Sequence, residues 1–441
     1  MVRYIDNPIV RIFTLVLSVI AVELYLFPLQ TYGMPINSKA IFAALGLVVA
    51  FVETARKGYG ILRTDLILLT GLAFLVSLCS YASLTINATS DTLYQTYIIS
   101  MWVWLAAAYF TLWVVKHCCG TVSINTLTYL LLAASVFECI TALGVEMNPT
   151  VYRLVNSITD HKWVEGGNRM HGLSAELDTG AIRFSVVLIM ISYVICDIKD
   201  KSSGWTLAIV WLSFVVITVI GNMIARTTII GTAIGLAYIL WKSRPTGARI
   251  TSGQMKMMRV IGLTIVIALP LIVYYYNNDS KIHNDLRFGF EGFFSLAEKG
   301  EWDVASNNTL KSMIVWPDNL HTWILGDGYM ENPKVDPYYV GEVTKGYYKN
   351  TDIGYLRFIF YFGIIGLLVF TTFMVISARA CMIRLPKYRS MILLLLILGF
   401  VVWLKVSTDL FFIFALLLCV DIIQEDSGER KLIKEDIIVK I

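Results

Sequence analysis

Four of the five histidines, His161, His171, His283 and His321, fall in two hydrophilic stretches of an otherwise strongly apolar chain. Arg169, Glu176, Asp178 and Asp352 lie in or at the edges of those stretches. Arg183, Arg226 and Arg357 stand at or just inside the ends of apolar runs. Imidazole and carboxylate are suited to moving a proton. Guanidinium is suited to gripping phosphate or pyrophosphate through its fork of donors. A charge placed inside a membrane span costs at least ~2.5 kcal/mol, so arginines at such positions face a wet cavity or an anion, or reach for the headgroups.

Arg226 lies in Gly221-Asn-Met-Ile-Ala-Arg-Thr-Thr228, a tight turn between two apolar runs. It reads either as an anion-binding group or as a side chain snorkelling to the membrane surface. Arg169 lies in Gly166-Gly-Asn-Arg-Met-His-Gly172, whose glycines let the backbone approach a ligand; an ordinary solvated loop is the alternative. Arg183 follows Asp178 by five residues, and an ion pair within one helix would account for both. Asp352 opens Asp-Ile-Gly-Tyr-Leu-Arg357, where it is either a helix N-cap or a general base; His321, opening His-Thr-Trp-Ile-Leu-Gly-Asp-Gly328, is the other base candidate.

No H-E-x-x-H and no histidine pair at i, i+4 is present, and the adjacent Cys118 and Cys119 lack the spacing of a zinc motif, so no metal and no cofactor is expected. None of the seven cysteines falls in the two hydrophilic stretches, which excludes a disulfide framework there. The chain also lacks a P-loop and a G-x-S-x-G nucleophile elbow.

These residues have to be positioned by membrane helices. Of 441 residues, 57% are hydrophobic and only 15% charged, against roughly 25% charged in soluble domains. The net charge of +4 gives no reason to expect a nucleic-acid partner. A window of about 20 apolar residues finds twelve segments, near 9–29, 38–55, 64–84, 93–115, 123–144, 179–197, 204–222, 224–241, 259–276, 353–377, 389–405 and 407–423. The first reads as a span, not a cleavable signal. The fold class is therefore all-α integral membrane, one polytopic domain over 1–441.

Lysines and arginines set the orientation. Every second connection and both ends are basic, with residues such as Arg56, Lys57, Arg63, Lys199, Lys201, Arg384 and Lys387, whereas the opposite short connections hold only Lys39, Arg226 and Lys405. By the positive-inside rule both termini are cytoplasmic. The long connections 145–178 and 277–352 are then both on the outer side, and ordered loops of such length are usually functional. In the second, Phe288, Phe290, Phe293 and Phe294 with Leu286 and Leu296 predict a short helix lying in the interface.

This layout resembles the bacterial O-antigen polymerase and O-antigen ligase superfamily of membrane glycosyltransferases. The resemblance rests on many spans, a moderate outer loop, an Arg-bearing tight turn and one large outer loop near the C-terminus. Its local matches are Arg169-Met-His-Gly172 leading to Gly180, Arg226 at a helix start, Gly326-Asp-Gly328, and Asp352-Ile-Gly-Tyr-Leu-Arg357 followed by Gly363-Ile-Ile-Gly366. It implies a bacterial inner-membrane enzyme with a periplasmic site, acting without a metal on glycans linked to undecaprenyl pyrophosphate as donor and acceptor. A chain-length regulator is a further candidate partner beside the bilayer itself.

In that reading Arg169 and Arg226 stabilise the leaving pyrophosphate, and Asp352 or His321 is the base. Arg183, His171, Glu176, Tyr355 and Arg357 bind substrate. Ligases often carry a histidine where this chain has Asp352, which favours the polymerase. The family's Pro-Asn pair after the first-loop arginine is replaced here around Glu176. Ligation to a lipid A core is the close alternative. A flippase or transporter is the alternative from another class; it should show two similar halves and midplane charges, and this sequence shows neither.

Overall fold

The computed structural model describes residues 8–31, 33, 36–57, 63–159, 170–175, 177–198, 204–243, 252–333, 339–341, 343 and 346–426. Among them the chain is all-helical, with no strand beyond two isolated bridges. The helices are α1 (Pro8–Leu26), α2 (Ser38–Lys57), α3 (Thr64–Asn87), α4 (Tyr97–Cys119), α5 (Ile124–Met147), α6 (Pro149–Ile158), α7 (Leu177–Ile198), α8 (Gly204–Ile224), α9 (Thr228–Ser243), α10 (Ser252–Asn278), α11 (Ser280–Gly289), α12 (Glu291–Lys299), α13 (Ala305–Ser312), α14 (Leu320–Leu325), α15 (Gly354–Arg384), α16 (Arg389–Val402) and α17 (Phe411–Asp426).

Each of the twelve apolar segments is a helix. Nine of the helices among the described residues are long and apolar enough to cross a membrane, which makes this a multi-pass membrane protein. α9, α16 and α17 are shorter, at 16, 14 and 16 residues. The long connections carry the short helices α6 and α11–α14. The phenylalanine-rich segment forms two helices, not one: α11 ends at Gly289 and α12 begins at Glu291, with Phe290 between them outside helical geometry. Helix starts follow side-chain chemistry. Ser123, Asn148, Asp279 and Asn319 each accept a backbone N–H in the first turn of the helix they precede.

The chain packs as two compact units, Met1–Ile41 with Trp113–Trp302, and Phe42–Leu112 with Asp303–Ile441. The first unit is built round α7, which is largely apolar and mostly buried. α9 lies against it through small residues. A Cβ on Gly231 would stand 2.2 Å from the Ser185 Cα, and one on Gly235 would stand 2.4 Å from the Ser192 Oγ. Such close backbone approach replaces the hydrophobic drive that helices lack in lipid.

The second unit is built round α15. That helix breaks at Phe362–Gly363, where Gly363 takes φ +69°. The break leaves the carbonyls of Phe360 and Tyr361 without their helical partners. The Gly326-Asp-Gly328 turn supplies replacements, Asp327 N–H donating to Phe360 O at 2.6 Å and Gly328 N–H to Tyr361 O at 3.2 Å. Ser83 Oγ on α3 adds a third bond, to Tyr361 O at 2.7 Å. At the other end of α15, Arg384 grips Asp65 bidentately, its Nε at 2.6 Å from Oδ2.

Gly231→Val is expected to drive α9 off α7 and to destabilise the folded protein by about 1–3 kcal/mol or more. A melting temperature in detergent equal to that of the parent would contradict this packing.

Candidate functional site

In the first unit Arg226 lies in a turn between two helices. Residues 225–227 form the turn between α8 and α9, and the Arg226 guanidinium lies 4.4 Å from the centroid of the Phe288 ring. It also forms an ion pair with Glu291, the first residue of α12. Glu291 was not legible as a partner, since 65 residues separate the two. Thr227 Oγ1 donates to Asp178 Oδ1, which ties the turn to the first turn of α7. An acidic residue there also suits the helix dipole. Arg183 stands over the Phe27 ring, 6.0 Å from its centroid, with buried Glu23 as an electrostatic neighbour.

The end of the first long connection is held by a residue that sequence reading missed. Glu138 on α5 is fully buried, and its carboxylate accepts the backbone N–H groups of Leu173, Ser174 and Ala175 at 2.7, 3.0 and 3.3 Å. Any side chain on Gly172 would collide with that carboxylate, which explains the glycine after His171. His171 is itself buried. Its Nε2–H donates to Asn156 Oδ1 at 3.3 Å, and its ring meets Tyr152 edge-on. Arg169, Glu176 and His161 lie outside the described residues.

α11 docks on the end of α8 through Gly289, where an added Cβ would come within 3.1 Å of the Asn222 backbone. One turn before Gly289, Asp285 is buried, and its Oδ2 has no hydrogen-bond partner among the described residues. Burial, with the negative charge of Glu146 second, pushes its carboxyl up to about 7; Lys281 pulls the other way. Asn222 is likewise buried, with its Oδ1 unpartnered among the described residues. Neither residue stood out in the sequence, because a lone Asp or Asn in a helix carries no motif.

The second unit holds the acid/base candidates. Asn87 Nδ2 donates to Ser83 O at 2.8 Å and to Gly326 O at 2.9 Å, so the orientation of its amide is fixed. Its Oδ1 therefore faces His321 Nε2 and accepts a hydrogen bond from its N–H at 2.9 Å. In the neutral ring that leaves Nδ1 as the lone-pair nitrogen, and His321 is exposed.

Asp352 is not the N-cap of α15. The cap position is Ile353, and Asp352 instead pairs with Arg357, Oδ1 to guanidinium at 3.7 Å. The guanidinium one turn along offers the carboxylate a charged partner in place of the N–H groups at the helix start. Arg357 is buried, stacks on Tyr347 at 4.1 Å and donates to Met330 O at 3.2 Å. The Tyr355 hydroxyl donates to Phe400 O at 2.9 Å, which fastens α15 to α16.

Beside these residues Tyr329, Tyr339 and Tyr348 form an aromatic cluster with centroids 5.2–6.1 Å apart. The Tyr348 hydroxyl donates to Asp327 Oδ2 at 3.0 Å; burial and that carboxylate raise its pKa above the ordinary phenol value.

Among the described residues no group of three or more His, Cys, Asp or Glu side chains is placed to hold a metal ion. Comparison of the chain with protein-family models, curated proteins and solved structures finds no match. The geometry gives a shielded arginine in one unit, and in the other a tautomer-fixed histidine with a carboxylate–guanidinium pair whose guanidinium is buried.

A raised carboxyl in the folded state means that the folded chain keeps a proton the unfolded chain has lost between about pH 4 and pH 7. The stabilising contribution of Asp285 is full below that window and is lost as pH rises through about 7. Asp285→Asn should therefore flatten the fall in melting temperature between pH 5 and pH 8. A slope equal to that of the parent would show that Asp285 is ionised throughout.

Proposed function

We propose that the chain is an integral-membrane glycosyltransferase that polymerises oligosaccharide repeat units linked to undecaprenyl pyrophosphate. In this reading all twelve apolar helices cross a bacterial inner membrane, both termini are cytoplasmic and the long connections face the periplasm. Arg226 carries most of the weight. It is an arginine in a tight turn between two apolar helices, on the side that the charge pattern makes outer, backed by an aromatic ring and paired with the Glu291 carboxylate. A guanidinium held this way is ready to exchange its carboxylate for the oxygens of a pyrophosphate.

The chemistry follows from the leaving group. An acceptor sugar hydroxyl attacks the anomeric carbon of the donor glycan and forms the new C–O bond. The anomeric C–O bond to pyrophosphate breaks, and its electron pair leaves on undecaprenyl pyrophosphate. Charge develops on the pyrophosphate oxygen, where Arg226, with Arg169, stabilises it. The hydroxyl proton goes to a base. His321 is suited to the task, because Asn87 occupies its Nε2–H and leaves Nδ1 as acceptor. Asp352 is engaged by Arg357, and its part is to hold that guanidinium for substrate.

Deleting the gene in its native host should abolish long surface glycan while single repeat units remain attached. Normal chain lengths would sink the proposal, and polymer accumulating on the lipid carrier would indicate the ligase instead. Arg226→Ala and Arg226→Lys should both abolish chain extension in a protein that still inserts; full activity in the lysine variant would rule out the two-pronged grip.

His321→Ala should lower chain extension by about 10²–10⁴-fold, the usual contribution of a general base. Asn87→Asp leaves His321 a stronger acceptor at Nε2 and should shift the pH profile of extension upward. An unshifted profile would separate Asn87 from the chemistry.

A further inference from the structure

The second unit contains an apolar slot that the proposed chemistry does not use. It has a volume of about 600 Å³ and is walled by α2, α3, α4 and α17. That size falls within the ~300–1,000 Å³ of ordinary ligand sites. At one end α2 and α4 touch, since a Cβ on Gly46 would stand 1.9 Å from Ala106 O. From there α2 stands away from its neighbours as far as Thr54, and the slot opens between them.

The walls decide the contents. Ala50, Phe51, Trp102 and Ile422 present hydrocarbon and ring faces, and the Cys419 thiol is spent on Leu105 O. A buried water needs two to four polar partners, and these walls do not supply them. An empty slot would forfeit dispersion contacts along its whole length. Leu47 and Phe51, on the same helix, are 59% and 76% exposed in a helix apolar enough to span a bilayer, so the surrounding medium at the mouth is lipid.

Length selects the kind of lipid. Gly46 to Thr54 spans eight helical rises, or about 12 Å at 1.5 Å per rise. One leaflet of the hydrocarbon core is about 15 Å thick. A single acyl chain fits that depth, whereas a polyprenyl carrier is several times too long. Arg56, exposed two residues beyond Thr54, sits where the phosphate of such a lipid would lie.

We propose that this slot is a specific site for one acyl chain of a bilayer phospholipid, which fills the gap between α2 and α4. It is separate from the proposed glycosyl-transfer site and stands if that reading fails.

The test uses the full-length chain, purified in detergent and stripped of lipid, with dioleoyl phosphatidylglycerol as the probe and native mass spectrometry as the readout. One lipid should bind tightly per chain. Ala50→Phe, which fills the slot, should weaken that binding by at least tenfold. If Ala50→Phe does not fold, Thr54→Trp at the mouth is expected to do the same. A phospholipid brominated on its acyl chain should quench the parent more than Trp102→Phe at one equivalent. Undiminished binding in a folded slot variant overturns the proposal, as do equal quenching in Trp102→Phe and displacement of the phospholipid by polyprenyl phosphate.

Discussion

The break in α15 is the constraint on which the second unit depends. In lipid, a backbone carbonyl without a partner costs several kcal/mol, so a helix can be interrupted only where other groups complete it. Gly363 alone can take the left-handed turn, and the interruption strips two carbonyls of their partners. The completing N–H groups come from Gly326-Asp-Gly328, and the position of that turn then fixes α14 and His321 just before it. Asn87 closes the set by bonding Gly326 O with one end of its amide and His321 with the other. A backbone defect in a membrane helix has thus become the anchor of a long connection.

The first unit solves the same problem with a side chain. Glu138 is buried in α5 and spends its carboxylate on three successive N–H groups of the segment entering α7. Those amides would otherwise be unpaired beside apolar helices. Both units therefore hold their long connections by satisfying backbone groups from inside the helical core, which is a stiffer attachment than packing loop side chains on its surface.

The sequence made the helices legible because lipid enforces long apolar runs, and every one of the twelve segments is a helix. Arg226 was legible because a charge between two such runs is costly and stands out. Its partner Glu291 was not, because an ion pair across 65 residues leaves no local pattern. The same holds for Glu138 and Asp285, whose roles come from burial and from neighbours on other helices. Asp352 misled for a different reason. Its place before a helix matches a cap, and only the geometry shows that Arg357 competes for its carboxylate and that Ile353 takes the cap position. Gly326, Gly328 and Gly363 were visible as separate motifs; that they mate with one another is a fact of three dimensions.

The pairing of Arg226 with Glu291 has a consequence for selectivity. In the proposed reading Arg226 faces a membrane surface crowded with singly charged phosphodiesters, which would occupy an open guanidinium. Here the Glu291 carboxylate, held in place by the fold, occupies the guanidinium. An incoming anion must outcompete it, and a single negative charge gains little by the exchange. A ligand with several charged oxygens and further contacts does gain. In the proposed glycosyl-transfer reading, Glu291 is a built-in competitor that sets a threshold of charge for ligands of Arg226.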